Sequence, residues 1–380
     1  MINNPFVIAG KIPEKYFCDR KNDTKKLKEY IINHNNVVLI SPRRMGKSGL
    51  IWHTFEDPDI YYNYKTLYID ILQSSSLKEF VFILGKEIFK EIVKGRQKLF
   101  NVFLKTIRSL NAKFSIDTLT GMPNLNIGLG DIIDPMLTLE EIFRFIEEYD
   151  KRCIIAIDEF QQITKYPEKN IEAILRTHIQ RCSNANFIFA GSERHIMQAI
   201  FIDYKRPFYQ SASFMELNSI PENLYIEFAI KQFDSYGKTL TREAVEKLYN
   251  LFGGFTFYMQ KTLNVAFYKT EENEICDLKK IRESIMEILE SNDSLYRQIL
   301  SNIPEKQKDL LYSLAIEGGS NGITSSSFIK KYNLLSASSV QSASRQLLHQ
   351  DYITRYENYY TLTDKFFALW IQQNYGNLKL

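Results

Sequence analysis

Cysteine is scarce in this sequence: Cys18, Cys153, Cys182 and Cys276 are the only four, and no two stand in C-x-x-C spacing. Histidine is nearly as rare, with five in 380 residues and no H-x-x-x-H pair. These absences argue against a structural zinc site, and scattered thiols suit a reducing compartment. The opening residues, Met1-Ile2-Asn3-Asn4-Pro5, lack a basic stretch followed by an apolar core, so no secretory signal is expected. No apolar run approaches the roughly 20 residues needed to cross a bilayer. The expected location is therefore the cytoplasm, with no membrane partner. A strong charge of either sign is missing too. The net charge of +3 and pI near 8.4 suit a polyanionic ligand but are too mild to argue for nucleic acid alone.

What is present is the composition of a folded chain, 44% hydrophobic and 24% charged, long enough for two or three domains. Thr24 to Ile32 reads as a helix and runs into the apolar stretch Val37-Val38-Leu39-Ile40, which suits a buried strand. Gly49 to Phe55 begins the next helix, Thr66 to Asp70 a second strand, and Leu77 to Ile92 an amphipathic helix. From Lys113 to Leu129, two alternating segments flank a turn at Thr120-Gly121-Met122-Pro123 and predict a β-hairpin insertion. The helix Leu139 to Tyr149 leads to the apolar strand Cys153 to Ile157, then the helix Ile171 to Arg181 and the strand Phe187 to Ala190.

Alternating helices and continuously apolar strands predict an α/β fold, a parallel sheet with helices on both faces. Ligands of such sheets bind beyond the carboxyl ends of the strands. Those ends carry Ser41 to Ser48, Asp70, Asp158-Glu159 and Ser192. After about Ser213 the strand signals stop. Helices over 221–236, 241–252, 255–268 and 277–289 predict an all-helical unit. The expected domains are a core over 1–213 with the insertion at 113–129, a helical lid over 214–300, and a third unit over 301–380.

The segment Ser41-Pro42-Arg43-Arg44-Met45-Gly46-Lys47-Ser48-Gly49 lies between an apolar strand and a helix. It matches G-x-x-x-x-G-K-[ST] at all fixed positions but the first, where Ser41 stands. Gly46 lets the backbone curl so that successive N–H groups face a β-phosphate. Lys47 places a charge on the β and γ oxygens, the Ser48 hydroxyl suits Mg²⁺, and the helix that follows adds its positive end. Ile154-Ile155-Ala156-Ile157-Asp158-Glu159 is the complementary strand. Two carboxylates ending a buried strand require a cation or water network. Asp158 is expected to hold Mg²⁺, and Glu159 to act as general base on an attacking water. ATP with Mg²⁺ is the expected ligand and ADP the product. Ser192 stands either as a phosphate or water contact or as a plain turn residue. Arg43 and Arg44 either face phosphate or pair with neighbouring acids, while His53, Asp70 and Arg194 read as bystanders.

With Asn4-Pro5-Phe6 and Phe17-Cys18-Asp19-Arg20 ahead of this loop, the chain resembles the archaeal-type P-loop ATPases of the AAA+ and STAND group. Ile157-Asp158-Glu159-Phe160-Gln161 is similar to their Walker B segment, and Phe189-Ala190-Gly191-Ser192 to their sensor strand. Gly253 to Gln260 is similar to their G-G-x-P lid motif, and Phe366 to Trp370 to their C-terminal aromatic stretch. The resemblance implies ATP-Mg²⁺ at Lys47, Ser48 and Asp158, with Glu159 catalytic and Phe6, Ile8 and Phe17 near the adenine. Two departures stand out: Thr256 replaces the lid proline, and Ser211 replaces the arginine of the family's S-P-L-Y-G-R segment. An arginine acting on phosphate contributes about 10³ to 10⁵ in rate, so turnover without a partner is expected to be slow unless Arg206 substitutes. Arg176 and Arg181 are candidates for service to a neighbouring copy.

Past Pro304, Thr324 to Lys331 and Ala337 to Gln350 read as helices, the first with Thr324 as N-cap, followed by a hairpin split at Glu357-Asn358. Helix, turn, helix and hairpin predict a winged helix. Ser338, Ser339, Gln341, Ser342, Arg345 and His349 are expected on its exposed face, and such residues suit a DNA groove. Eight basic against six acidic residues after Pro304 make a weak phosphate binder, so DNA and a protein partner or second copy all stand as expected partners. The expected function is a nucleotide-dependent switch in which ATP, bound between core and lid, repositions the winged helix. The alternatives are a DNA-binding protein with ATP as structural ligand, and an inactive nucleotide-binding scaffold.

Overall fold

The computed structural model describes residues 4–110, 113–116, 123–126, 128–376 and 378, and the chain divides into two compact units. The first unit is Lys11–Ser219. Its strands are β1 (Val37–Ile40), β2 (Lys65–Asp70), β3 (Lys113–Ile116), β4 (Pro123–Asn126), β5 (Cys153–Asp158), β6 (Ala185–Gly191) and β7 (Ser213–Glu216). Five of them form one sheet in the order β2-β5-β6-β1-β7, every pairing parallel. Side chains alternate across each strand, so two cores follow directly from the sequence. On one face Leu67, Ile69, Ile155, Ile157, Phe187 and Phe189 pack beneath the helices Leu77–Ile88, Pro135–Glu147 and Ile171–Arg181. On the other, Val37, Leu39, Ile154, Ala156 and Ile188 meet Leu27, Leu50 and Ile51 of the helices Lys21–Ile32 and Lys47–Glu56.

Several boundaries differ from expectation for local reasons. The helix from Leu77 stays α-helical only to Ile88, then widens into a π-turn over Phe89–Val93. A further helix, Gln97–Thr106, leads to the insertion. There β3 and β4 pair antiparallel as a hairpin, while the anticipated turn residues Thr120, Gly121 and Met122, and Ile127, lie outside the described residues. Strand structure does not stop at about Ser213: β7 pairs with β1 in the register Val37↔Ser213. Its four residues, only one of them buried, are too few to carry a hydrophobic signal.

The second unit holds the residues up to Gly10 together with Ile220–Leu380. The helices Glu222–Asp234, Arg242–Phe252, Thr256–Lys269 and Leu278–Ser291 fall where periodicity placed them, joined by a two-residue parallel pairing of Thr239–Leu240 with Ile275–Cys276. The winged helix consists of the helices Glu305–Glu317, Ser326–Lys331 and Ala337–His349 and the hairpin Ile353–Tyr356/Tyr359–Leu362. Ser325, not Thr324, caps the second of these helices, accepting from the Phe328 N–H at 3.2 Å.

Residues 214–219 belong to the unit of the sheet, where β7 pairs. The segments before and after 300 fall in the same unit. Phe366 stacks edge-on against Phe252 and Tyr258, the Tyr258 hydroxyl donates to the Thr363 carbonyl, and Trp370 Nε1 donates to Asp293 Oδ1 at 3.0 Å. The helical segment and the winged helix share one core.

Candidate functional site

At the carboxyl end of β1 the chain turns through Ser41 to Gly46. Ser41 is buried, its N–H donates to the Gly191 carbonyl of β6, and its hydroxyl bonds the Pro42 carbonyl. The serine therefore extends the sheet pairing by one residue where the common motif has glycine. Gly46, at φ 91°, is in the left-handed region that glycine occupies without strain. The helix Lys47–Glu56 starts immediately after, with no side chain capping its first N–H groups. Such an end suits an anion. Arg20 fixes the loop from behind. Its buried guanidinium donates to the Met45 carbonyl at 2.9 Å, to the Asn218 carbonyl and to Asp23. Nothing in the segment Phe17-Cys18-Asp19-Arg20 as a sequence marks Arg20 for this role.

Facing the loop, β5 ends in Asp158, only 3% exposed. Its Oδ1 accepts from Lys47 Nζ at 3.1 Å and from the Glu159 N–H at 2.9 Å. Its Oδ2 accepts from the Ser48 hydroxyl at 2.8 Å and the Tyr68 hydroxyl at 2.5 Å. Burial pushes the carboxyl up, but Lys47, Tyr68 and Ser48 together outweigh burial and hold it below its ordinary value. Asp158 is thus an anion stabilised by donors on every side. Burial first, then the charge of Asp158, pushes the Tyr68 phenol up, which keeps it a donor.

Glu159 adopts φ 55°, ψ 41°, a left-handed conformation that costs a non-glycine residue about 1 kcal/mol or more. Its carboxylate is held on one oxygen by Lys47 at 3.3 Å and on the other by the Ser192 hydroxyl at 2.7 Å and the Gln161 amide. Arg43 Nε reaches the Ser192 hydroxyl at 3.3 Å. Gly191 has no space for a side chain, since a Cβ there would lie 2.5 Å from Met197 Sδ and 2.6 Å from Gln161 Oε1. The elements thus bring together Arg43, Lys47, Ser48, Asp158, Glu159 and Ser192. Sequence reasoning missed Tyr68 and Gln161. Tyr68 reads as an ordinary strand residue, and Gln161 as an ordinary residue after the acidic pair.

The other candidates have surroundings of their own. Phe17 stacks on His53 with ring centroids 3.9 Å apart, beside Gly49 in the first turn of the loop's helix. Phe6 is fully buried in the second unit against Phe228, Phe233 and Phe267, so its ring lies in that unit's aromatic core. Arg44 is exposed, and Arg194 pairs with Glu216. Arg206 is bound to Glu172 at 2.7 Å, and Ser211 bonds the Phe208 carbonyl. Asp70 lies in register with Asp158 and accepts from the Leu72 N–H.

A hydroxyl and a carboxylate 2.8 Å apart are hard oxygen donors of the kind Mg²⁺ takes alongside phosphate. No group of three or more His, Cys, Asp or Glu among the described residues could hold a metal by itself. No helix among them is long and apolar enough to cross a membrane.

Strand, glycine-closed loop, helix and an acid-ended strand one place removed in the parallel sheet define a P-loop nucleotide-binding protein. Residues 17–262 match the family described as "ATPase domain predominantly from Archaea", and residues 294–373 the one described as "Probable winged helix domain". The chain belongs to this ATPase family, with a C-terminal winged helix. Among solved structures it is similar to the Walker-type ATPase PABY2304 of Pyrococcus abyssi, at 17% identity and TM-score 0.66, covering 97% of this chain and 99% of that one. It is also similar to the ORC2 protein of Aeropyrum pernix, solved as ADPNP-ADP complexes, at 11% identity, TM-score 0.57 and coverage of 97% and 98%. The ORC1 protein of the same organism, in complex with DNA, follows at 11% identity, TM-score 0.52 and coverage of 94% and 93%. At these identities the likeness is one of fold. Among curated proteins no relative matches.

Proposed function

We propose that the protein binds ATP with Mg²⁺ at the Ser41–Gly49 loop, hydrolyses it slowly, and uses the cycle as a regulatory switch acting on its winged helix. The observation that carries this reading is the convergence of Lys47, Ser48 and Glu159 on Asp158. Lys47, now shared by two carboxylates, is the group that turns to the β and γ oxygens. The N–H groups opening Lys47–Glu56 bind phosphate oxygens, and Phe17 flanks the loop on the side of Gly49. Ser48 and Asp158 would hold Mg²⁺, which supplies charge neutralisation between the phosphates. Glu159 accepts the proton of the attacking water, with Ser192 and Gln161 fixing the carboxylate after Lys47 leaves it. Slow turnover fits Ser211 in the family's arginine position and Arg206 engaged by Glu172. A second copy supplying Arg176 or Arg181, or a protein partner supplying an arginine of its own, would raise it.

The shared core of helical segment and winged helix changes the form of the switch. Both are carried as one body, joined to the ATPase unit at Gly10–Lys11 and Ser219–Ile220. ATP should therefore alter protease cleavage around those two crossings, with Lys47→Ala abolishing both nucleotide binding and the change. An unchanged cleavage pattern in wild type at saturating ATP would remove the switch.

A second reading, DNA binding, rests on the exposed Ser338, Gln341, Ser342, Arg345 and His349 of Ala337–His349. The wing weakens it. Arg355 is occupied by the Glu357 carbonyl and Asn358, and Glu357 is itself at the tip.

A further inference from the structure

Three side chains donate to the buried Asp158, and they are not equivalent. Lys47 belongs to phosphate and Ser48 to the metal under the reading above, on which this inference rests. Tyr68 has neither duty. It stands on β2, opposite Ala156 of β5, and reaches Asp158 Oδ2 at 2.5 Å. Its ring is braced by Trp52, centroids 4.8 Å apart, and Trp52 lies one turn beyond Ser48 on the loop's own helix. Lys11 covers the Trp52 ring at 4.4 Å and pairs with Glu56. The phenol is therefore fixed in position by the same helix that presents Ser48.

When Lys47 turns to phosphate, Asp158 Oδ1 loses its cationic partner and keeps the Glu159 N–H. Oδ2 must stay aimed, or a carboxylate turning about its own bond would leave the geometry that a small, rigidly octahedral cation requires. We propose that Tyr68 is the positioning residue of the magnesium site, holding the Asp158 carboxylate in its metal-binding orientation once the nucleotide has taken Lys47. Outer hydrogen bonds to metal ligands of this kind carry about 10- to 100-fold in metal affinity.

The test is Tyr68→Phe, which removes one oxygen and keeps the ring on Trp52. Binding of a fluorescent ATP analogue is titrated with MgCl₂ and, separately, measured in EDTA. Affinity in EDTA should match wild type, while the Mg²⁺ concentration giving half-maximal enhancement should rise about 10-fold or more. In an Asp158→Asn background the same substitution should change the Mg²⁺ requirement no further. An unshifted midpoint overturns the proposal. So does an equal loss of affinity with and without Mg²⁺, which marks a packing role, or an additive loss in the Asp158→Asn background. A wild type that binds no nucleotide sinks the ATP reading and this inference with it, a result distinct from wild-type binding with an unshifted variant.

Discussion

The carboxyl end of β5 and the exposed face of Ala337–His349 are both polar, yet they are organised in opposite ways. Asp158 accepts four hydrogen bonds from four different residues while almost wholly buried. On the winged helix, Arg345 bonds the Gln341 carbonyl of its own helix, and the Ser338 hydroxyl hydrogen-bonds that of the capping Ser336. The first arrangement is preorganised: its donors are fixed before any ligand arrives, which is the condition for strong electrostatic stabilisation. The second is solvated and adaptable. A face of this kind does not name its partner, because the partner would have to supply the order.

Glu159→Gln should produce the largest effect. It should reduce turnover about 10²- to 10⁴-fold while ATP binding survives, read as phosphate release beside nucleotide affinity. Equal turnover in wild type and variant would reduce the β5 end to a binding site and erase its contrast with the helix face. Phe366→Ala should come next, costing about 3–5 kcal/mol by emptying the contact with Phe252 and Tyr258. Thermal unfolding should then show the helical segment and winged helix melting together at a lower midpoint. Two separate transitions would show that the winged helix has a core of its own. Arg345→Ala should be the mildest, within about 0.5 kcal/mol of wild-type stability, because the side chain is solvated. If it instead weakens DNA binding and lowers its salt dependence by about one unit, that face is a phosphate-contacting surface after all.

The sequence disclosed the site better than its surroundings. Gly46, Lys47 and Ser48 announce a phosphate loop because few residue types satisfy that backbone, and β5 announces itself by the unbroken apolar run Cys153 to Ile157 ahead of two acids. By contrast, β7 is a half-buried edge strand of four residues whose partner β1 lies far upstream, so neither length nor pattern reveals it. Tyr68 is a good strand former, and strand propensity alone explains a tyrosine there. Only the tertiary register turns its hydroxyl into a partner of Asp158. The pairing of Arg206 with Glu172 was hidden in the same way, since an ion pair between distant segments leaves no periodicity.

Phe6 holds a consequence for how the protein is made. Its ring belongs among Phe228, Phe233 and Phe267, yet the whole of Lys11–Ser219 is synthesised between it and the first of them. At ribosomal speeds of about 5–20 residues per second, a stretch of roughly 200 residues takes on the order of 10 to 40 seconds. During that interval the Phe6 segment waits with its hydrophobic side chain uncovered, while the nucleotide-binding unit behind it can already fold. The winged-helix body closes around a residue translated before the whole of that unit.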